Sequence, residues 1–328
     1  MTKPLLSVCL ITYNHESYIL EALKGIAIQE CEFDFELVIA DDCSKDNTIP
    51  VIEDFLRTSS IKNYRVIRRQ HNLGMQTNWE KANQECQGKY IALLEGDDYW
   101  CAPHKLQKQV NFLEANPDHS FCFHQVYEKE GNNVFLSNLN DATSEKTYTI
   151  SDLAKGNFIH TPSVVFRKGY FDQLPAWFKD SPVADYVIHM LNAKHGKIKY
   201  FPEPMAVYRK HGGGVWSSKS YEKRVLGFNK TLSFLFNEFD GEVLSILKKQ
   251  KAANLSTLAK MAYGNKEVSK ARSYLKEAFS LDETLMEKWV SDIYPSLIER
   301  LFQSRKYQAA EMFSRLFNIG LIKKSKKM

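Results

Sequence analysis

The chain has no C-x-x-C pair, no G-x-G-x-x-G after its first apolar run and no G-x-x-x-x-G-K-[ST]. Phosphates are therefore not expected on a dinucleotide-binding or P-loop turn. No apolar run reaches the ~18 residues a membrane span needs, and no secretory signal stands at the start. Six cysteines occur, all in the first half and several inside apolar segments. They are expected as reduced, buried thiols of a cytoplasmic protein, with any membrane role confined to the inner face. The net charge of +5 owes four charges to Lys323, Lys324, Lys326 and Lys327. The remaining body is near neutral, which argues against nucleic acid as a partner. The lysine-rich end is compatible with peripheral contact to an anionic membrane surface.

With 328 residues there is room for one large core or two domains. Residues 5–12 form a near-continuous apolar run, the mark of a strand buried on both faces. Tyr18, Ile19, Ala22, Leu23 and Ile26 follow with helical spacing. The alternation repeats: strand 35–40, then a helix capped by Asp46 or Asn47; strand 64–67, then a helix carrying Trp79, Ala82 and Cys86; then strand 90–94. Such a succession predicts a mostly parallel, doubly wound α/β sheet with helices on both faces.

In a parallel sheet the strand ends share one edge, where ligands bind. Here those ends are polar: Thr12-Tyr13-Asn14, Asp41-Asp42, and Glu95-Gly96-Asp97-Asp98. The last places three carboxylates within four residues. Crowding them is costly unless a cation neutralises them, and a hard divalent ion with oxygen ligands suits the set. The alternative is an acidic surface turn.

Beyond Trp100 the spacing predicts a helix with Leu106, Val110 and Leu113 inside, a strand at 121–126 and a hairpin turn at 131–133. It predicts strand at 161–166, a helix at 184–191 with Asp185 in its first turn, and two short strands at 198–201 and 205–209. The second short strand leads into His211 and the glycines 212–214, with Trp216 beyond, a candidate lid. From about Ser220 the spacing is helical throughout, with helices expected near 220–238, 242–262, 267–280, 284–303 and 306–318. We therefore expect two regions, 1–219 and 220–328. The second is a helical extension rather than a repeat array, and a surface for a partner, a second copy or an acceptor.

The segments 7–14 (Ser-Val-Cys-Leu-Ile-Thr-Tyr-Asn), 36–46 (Glu-Leu-Val-Ile-Ala-Asp-Asp-Cys-Ser-Lys-Asp), Asn72-Leu73-Gly74 and Gly96-Asp97-Asp98-Tyr99-Trp100 resemble family 2 glycosyltransferases of the GT-A fold, in order and spacing. The resemblance covers about residues 4–217. It implies inverting transfer of a sugar from a nucleotide-diphosphate sugar, UDP foremost, to a hydroxyl of a saccharide or lipid-linked saccharide in bacterial surface polysaccharide synthesis. By the same resemblance Thr12, Tyr13, Asn14, Asp42, Asn72 and Asp97 would hold the donor. Asp98 and His211 would hold Mn²⁺ or Mg²⁺, and Asp185 would be the catalytic base. Glu95 stands where the family has aspartate, which leaves its part in metal binding open. Trp100 is either core or a stacking platform for the acceptor. Rival readings are a nucleotidyltransferase, against which the turn after the first strand lacks glycine and lysine, and a non-catalytic scaffold using the helical region.

Overall fold

Strand β1 (Leu6–Thr12) shows why the core has two halves. Side chains alternate across a strand, so Leu6, Val8 and Leu10 enter one apolar cluster while Cys9 and Ile11 enter the other. The same division holds along β2 (Phe35–Asp41) and β4 (Tyr90–Glu95). Leu37, Ile39, Ala92 and Leu94 face one side, and Val38, Ala40, Ile91 and Leu93 the other. The computed structural model describes residues 3–170, 174–214 and 218–285.

One side of the sheet is covered by α1 (Ile19–Ala27), α2 (Thr48–Thr58) and α4 (Lys105–Ala115). They contribute Leu23, Ile52, Leu106 and Val110, among others. The other side is covered by α3 (Met75–Glu85), the single turn α5 (Ile150–Leu153) and α6 (Ala184–Ala193). Helix α7 (Tyr221–Leu235) also packs on this side, through Leu232 and Leu235.

Among the described residues the sheet has ten strands. The others are β3 (Tyr64–Arg68), β5 (Tyr99–Trp100), β6 (His119–Glu130), β7 (Asn133–Leu136), β8 (Lys146–Tyr148), β9 (Val165–Arg167) and β10 (Lys197–Lys210). Their order is β3-β2-β1-β4-β9-β6-β10-β5, with β7 on β6 and β8 on β10. The β1–β2, β2–β3, β1–β4 and β6–β10 pairs are parallel. Strand β9 is antiparallel to both β4 and β6. The expected mostly parallel sheet with helices on both faces is therefore present.

Two expected elements differ in detail. The strands expected at 198–201 and 205–209 are one strand, β10, whose pairing with β6 shifts between Phe201 and Ala206. Pro202 and Pro204 lie in that gap and have no N–H to give the ladder. The strand expected from 161 begins only at Val165, because Thr161–Ser163 is a 3₁₀ turn with Pro162 near its start.

The chain divides into two compact units, Met1–Gln250 and Lys251–Met328. This division falls later than the change of texture near Ser220, since α7 belongs to the core of the sheet unit. Helix α8 (Gly241–Gly264) runs across the division, and α9 (Val268–Leu281) follows it. In the second unit Ala252 and Leu255 pack with Ala278, and Lys251 pairs with Glu277 at 2.7 Å. The helices expected at 284–303 and 306–318 fall almost entirely outside the described residues, as do Trp216 and the terminal lysines. All six cysteines are free thiols, and no described helix is long and apolar enough to cross a membrane.

Candidate active site

The ends of β1, β2, β4 and β10 lie on the same edge of the sheet, and hydrogen bonds tie their turns together. Asn14 takes left-handed backbone, φ 56°, which asparagine tolerates better than most residues. Its N–H donates to Ser44 Oγ at 2.9 Å and its Oδ1 accepts from Lys45 N–H at 2.7 Å. Thr12 is buried, with Oγ1 3.2 Å from His15 Nδ1, while Tyr13 is exposed beside it. Gly96 lies against this turn so closely that a Cβ there would stand 2.6 Å from Thr12 Oγ1 and 2.8 Å from His15 Nδ1. Glycine is thus a packing requirement at position 96.

Asp42 is buried at the end of β2. Its two carboxylate oxygens accept the N–H groups of Leu73 at 2.7 Å and Gly74 at 2.9 Å. Gly74 N–H also meets Asn72 Oδ1 at 3.0 Å. Asp42 therefore fixes the 72–74 turn that precedes α3. Each oxygen retains a second lone pair for a ligand N–H.

The acidic turn is the centre of the site. One ligand oxygen from each of Glu95, Asp97 and Asp98 lies within 4.8 Å of the other two. Asp98 is buried; its Oδ1 accepts the Arg209 N–H at 2.8 Å, and its Oδ2 is buried with no hydrogen-bond partner. Burial, then the charges of Asp97 and Glu95, push the Asp98 carboxyl well above the usual carboxylate range. Burial, then Asp97 and Asp185, raise Glu95 to about 8. Burial pushes Asp97 up as well, but the hydrogen bond from His211 and the charge of His15 outweigh it and hold its pKa low. His211 Nε2 stands 3.0 Å from Asp97 Oδ2, and His15 Nε2 3.8 Å. An ionised carboxylate only accepts, so the His211 proton sits on Nε2.

Thr12, Tyr13, Asn14, Asp42, Asn72, Asp97, Asp98 and His211 line the turns of this edge. His211, however, is bonded to Asp97 and is not part of the converging trio, whereas Glu95 is. Asp185 comes from elsewhere, the first turn of α6, and accepts a hydrogen bond from Asn157 Nδ2 at 3.1 Å. Its charge is felt by Glu95 and Tyr208, whose pKa values it raises. Burial raises its pKa, against the hydrogen bonds and His160.

Trp100 is core. It is 1% exposed, its Nε1 donates to Pro162 O at 2.8 Å, and the Lys105 ammonium lies 4.2 Å over its ring. Several partners were not legible from the sequence. Arg209 donates through Nε to Asp97 O at 2.7 Å, binds Glu21, and stacks on the Tyr99 ring. Nothing local marks it, since its partners come from three other elements.

A GT-A fold is the class this sheet and its acidic turn define. The family model for glycosyl transferase family 2 matches residues 7–174, and the chain belongs to that family. The protein Rv1520 of Mycobacterium tuberculosis is 37% identical over 243 residues, 72% of this chain and 69% of that one. TuaG of Bacillus subtilis, a putative teichuronic acid biosynthesis glycosyltransferase, is 30% identical over 130 residues, 39% of this chain and 50% of that one. In structure the chain is similar to S. aureus TarS 1-349 in complex with UDP-GlcNAc: TM-score 0.58, 17% identity, 86% of this chain and 92% of that one covered. It is likewise similar to the mannosyltransferase PcManGT of Pyrobaculum calidifontis in complex with GDP-Man and Mn²⁺: TM-score 0.58, 15% identity, 85% and 86% covered.

Proposed function

We propose that the chain is an inverting, divalent-ion-dependent glycosyltransferase. It moves a sugar from a nucleotide-diphosphate sugar, UDP-linked first, to a hydroxyl of a saccharide or lipid-linked saccharide in bacterial surface polysaccharide synthesis. The observation that carries this is the buried, unpartnered Asp98 Oδ2 inside a trio of carboxylates. A buried oxygen without a partner is costly unless a ligand completes it, and oxygen donors in this number suit a hard cation.

Glu95, Asp97 and Asp98 would hold the ion. When bound, it would neutralise the diphosphate and so ease its departure. Thr12, Tyr13 and Asn14 with the Asp42-held turn at Asn72 form the donor side of the edge. Asp185 would serve the acceptor side. The acceptor hydroxyl attacks the anomeric carbon from the face opposite the phosphate. Its proton passes to Asp185, the carbon–oxygen bond to phosphate breaks, and the nucleotide diphosphate leaves with the electron pair. Attack from the far face inverts the anomeric centre. A carboxylate whose pKa burial has raised is the stronger base once ionised. The nucleotide sugars and Mn²⁺ in the two structural neighbours support the donor class and the ion, and the role printed for TuaG supports a surface polymer as destination.

The test is a screen of nucleotide sugars with Mn²⁺ or Mg²⁺, following nucleotide-diphosphate release and donor binding. At least one donor is expected to bind and turn over only with the ion. Binding of none, with or without ion, overturns the reading. Asp185→Asn is expected to keep donor affinity and lose transfer; near-normal turnover in that variant removes Asp185 from the role of base.

A further inference from the structure

We infer that Asn157 is a positioning residue for Asp185, an amide clamp that fixes the carboxylate which takes the acceptor's proton. The inference rests on the reading of Asp185 as the base. Asn157 Nδ2 donates to Asp185 Oδ2 at 3.1 Å, and Asn157 Oδ1 accepts the Ile159 N–H at 3.2 Å. The second bond decides the first. Were the amide turned over, an NH₂ would face the Ile159 N–H and a carbonyl oxygen would face the carboxylate, both repulsive. The amide therefore has one orientation, and in it the donor points at Asp185.

Helix α6 supplies part of what fixes this side chain, through the backbone N–H groups of Tyr186 and of Asp185 itself. Its N-cap, Val183, offers no side-chain cap, and Asp185 is half-buried among groups that disfavour its charge. Glu95 on β4 repels it and Tyr208 on β10 feels its charge, while the Tyr186 N–H, the Asn157 amide and the His160 ring favour its ionised form, in that order. A neutral donor on one oxygen holds the ionised form and its rotamer without adding a charge that would compete for the acceptor's proton. Asn157 is itself anchored. The turn before it, α5, is closed by a capping box between Thr149 and Asp152. On its other side Ile159 is buried, and His160 Nε2 stands 2.9 Å from Ser137 Oγ.

Two substitutions separate positioning from simple structure. Asn157→Asp is isosteric and keeps an acceptor for the Ile159 N–H, but it cannot donate to Asp185 when ionised. Asn157→Ala loses both bonds. Turnover is followed as nucleotide-diphosphate release from UDP-GlcNAc, or from whichever nucleotide sugar in the screen turns over fastest. If Asn157 positions the base, both variants lower kcat by about 10- to 100-fold, the scale of a hydrogen bond to a charged group. Donor KM stays within about twofold, and the Asp variant is at least as impaired as the Ala variant. Where the added charge prevents folding, Asn157→Leu takes its place and is expected to show the same fall. An Asp (or Leu) variant milder than Ala, a kcat near that of the unaltered chain, or a loss confined to donor KM overturns the inference. Asp185→Asn run alongside keeps the two readings apart. Normal turnover there removes the base itself, whereas a dead Asp185→Asn with an active Asn157→Asp removes only the clamp.

Discussion

If Glu95 ligates a divalent ion, it must first give up a proton, and ion affinity must then depend on pH. Its carboxyl is raised to about 8 by burial and by the charges of Asp97 and Asp185. At pH 7 about ten molecules are protonated there for each one ionised, and at pH 6 about a hundred. Ligation needs the ionised form. Apparent Mn²⁺ affinity is therefore expected to rise about tenfold from pH 6 to 7, about fivefold from 7 to 8, and to flatten above. The carboxyl of Asp98, also raised, steepens the rise wherever it too is protonated. The stability effect has the matching sign. A folded-state pKa above the ordinary 4.5 means that the contribution of Glu95 is complete below about 4.5 and is lost as pH climbs through about 8. The ion-free protein should thus lose stability across this window while the stabilisation by Mn²⁺ grows. Isothermal titration calorimetry at pH 6, 7 and 8, in two buffers of different ionisation enthalpy, reads both affinity and protons released. About one proton from Glu95 is expected at pH 7, and Glu95→Gln should flatten the profile. A Kd independent of pH between 6 and 8, with no proton released, would refute the reasoning.

Gly96→Ala places a Cβ within 3 Å of both Thr12 and His15, so the β1 turn must move. A loss of about 1–3 kcal/mol in urea unfolding is expected, together with weaker donor binding; a variant as stable and as tight as the original would show that the two turns do not share this space. Trp100→Phe leaves the Pro162 carbonyl unpaired in the core, costing about 1–3 kcal/mol. Because Trp100 is buried, KM for donor and acceptor should stay within about twofold, and a selective rise in acceptor KM at unchanged stability would put the indole back in the acceptor site.

The strands and helices that build the sheet were legible because each signal is local. Continuous apolar runs at β1, β2 and β4 and helical spacing at α1, α2 and α3 need no knowledge of what lies across the core. The parallel order followed from the alternation. Features that depend on distant partners were not legible. Strand β5 has two residues, and it is a strand only because Ala206 and Val207 of β10 lie beside it. The same kind of dependence makes α7 part of the sheet unit: helical periodicity at 221–235 says that a face is apolar, not which core receives it.

The site divides along the same line, and the division bears on Glu95. Motif position made Asp97 and Asp98 look like the pair that matters, with Glu95 as the odd member. Distance puts all three carboxylates in one group, and its electrostatics assign them different tasks. Asp97 is held ionised by His211 and His15, so it is a fixed negative charge whether or not an ion is present. Asp98 is fixed by the Arg209 backbone and keeps one buried oxygen unfilled. Glu95 lies within the field of both Asp97 and Asp185, so its proton answers to the ion on one side and to the base on the other. If the ion draws the proton off Glu95, two positive charges replace one in the field of Asp185, which favours its ionised form. Binding of the ion on the donor side would then keep the base on the acceptor side ionised and ready to take a proton. Glutamate in place of aspartate reaches further along the cleft, and on this argument that extra length is what joins the two carboxylate groups.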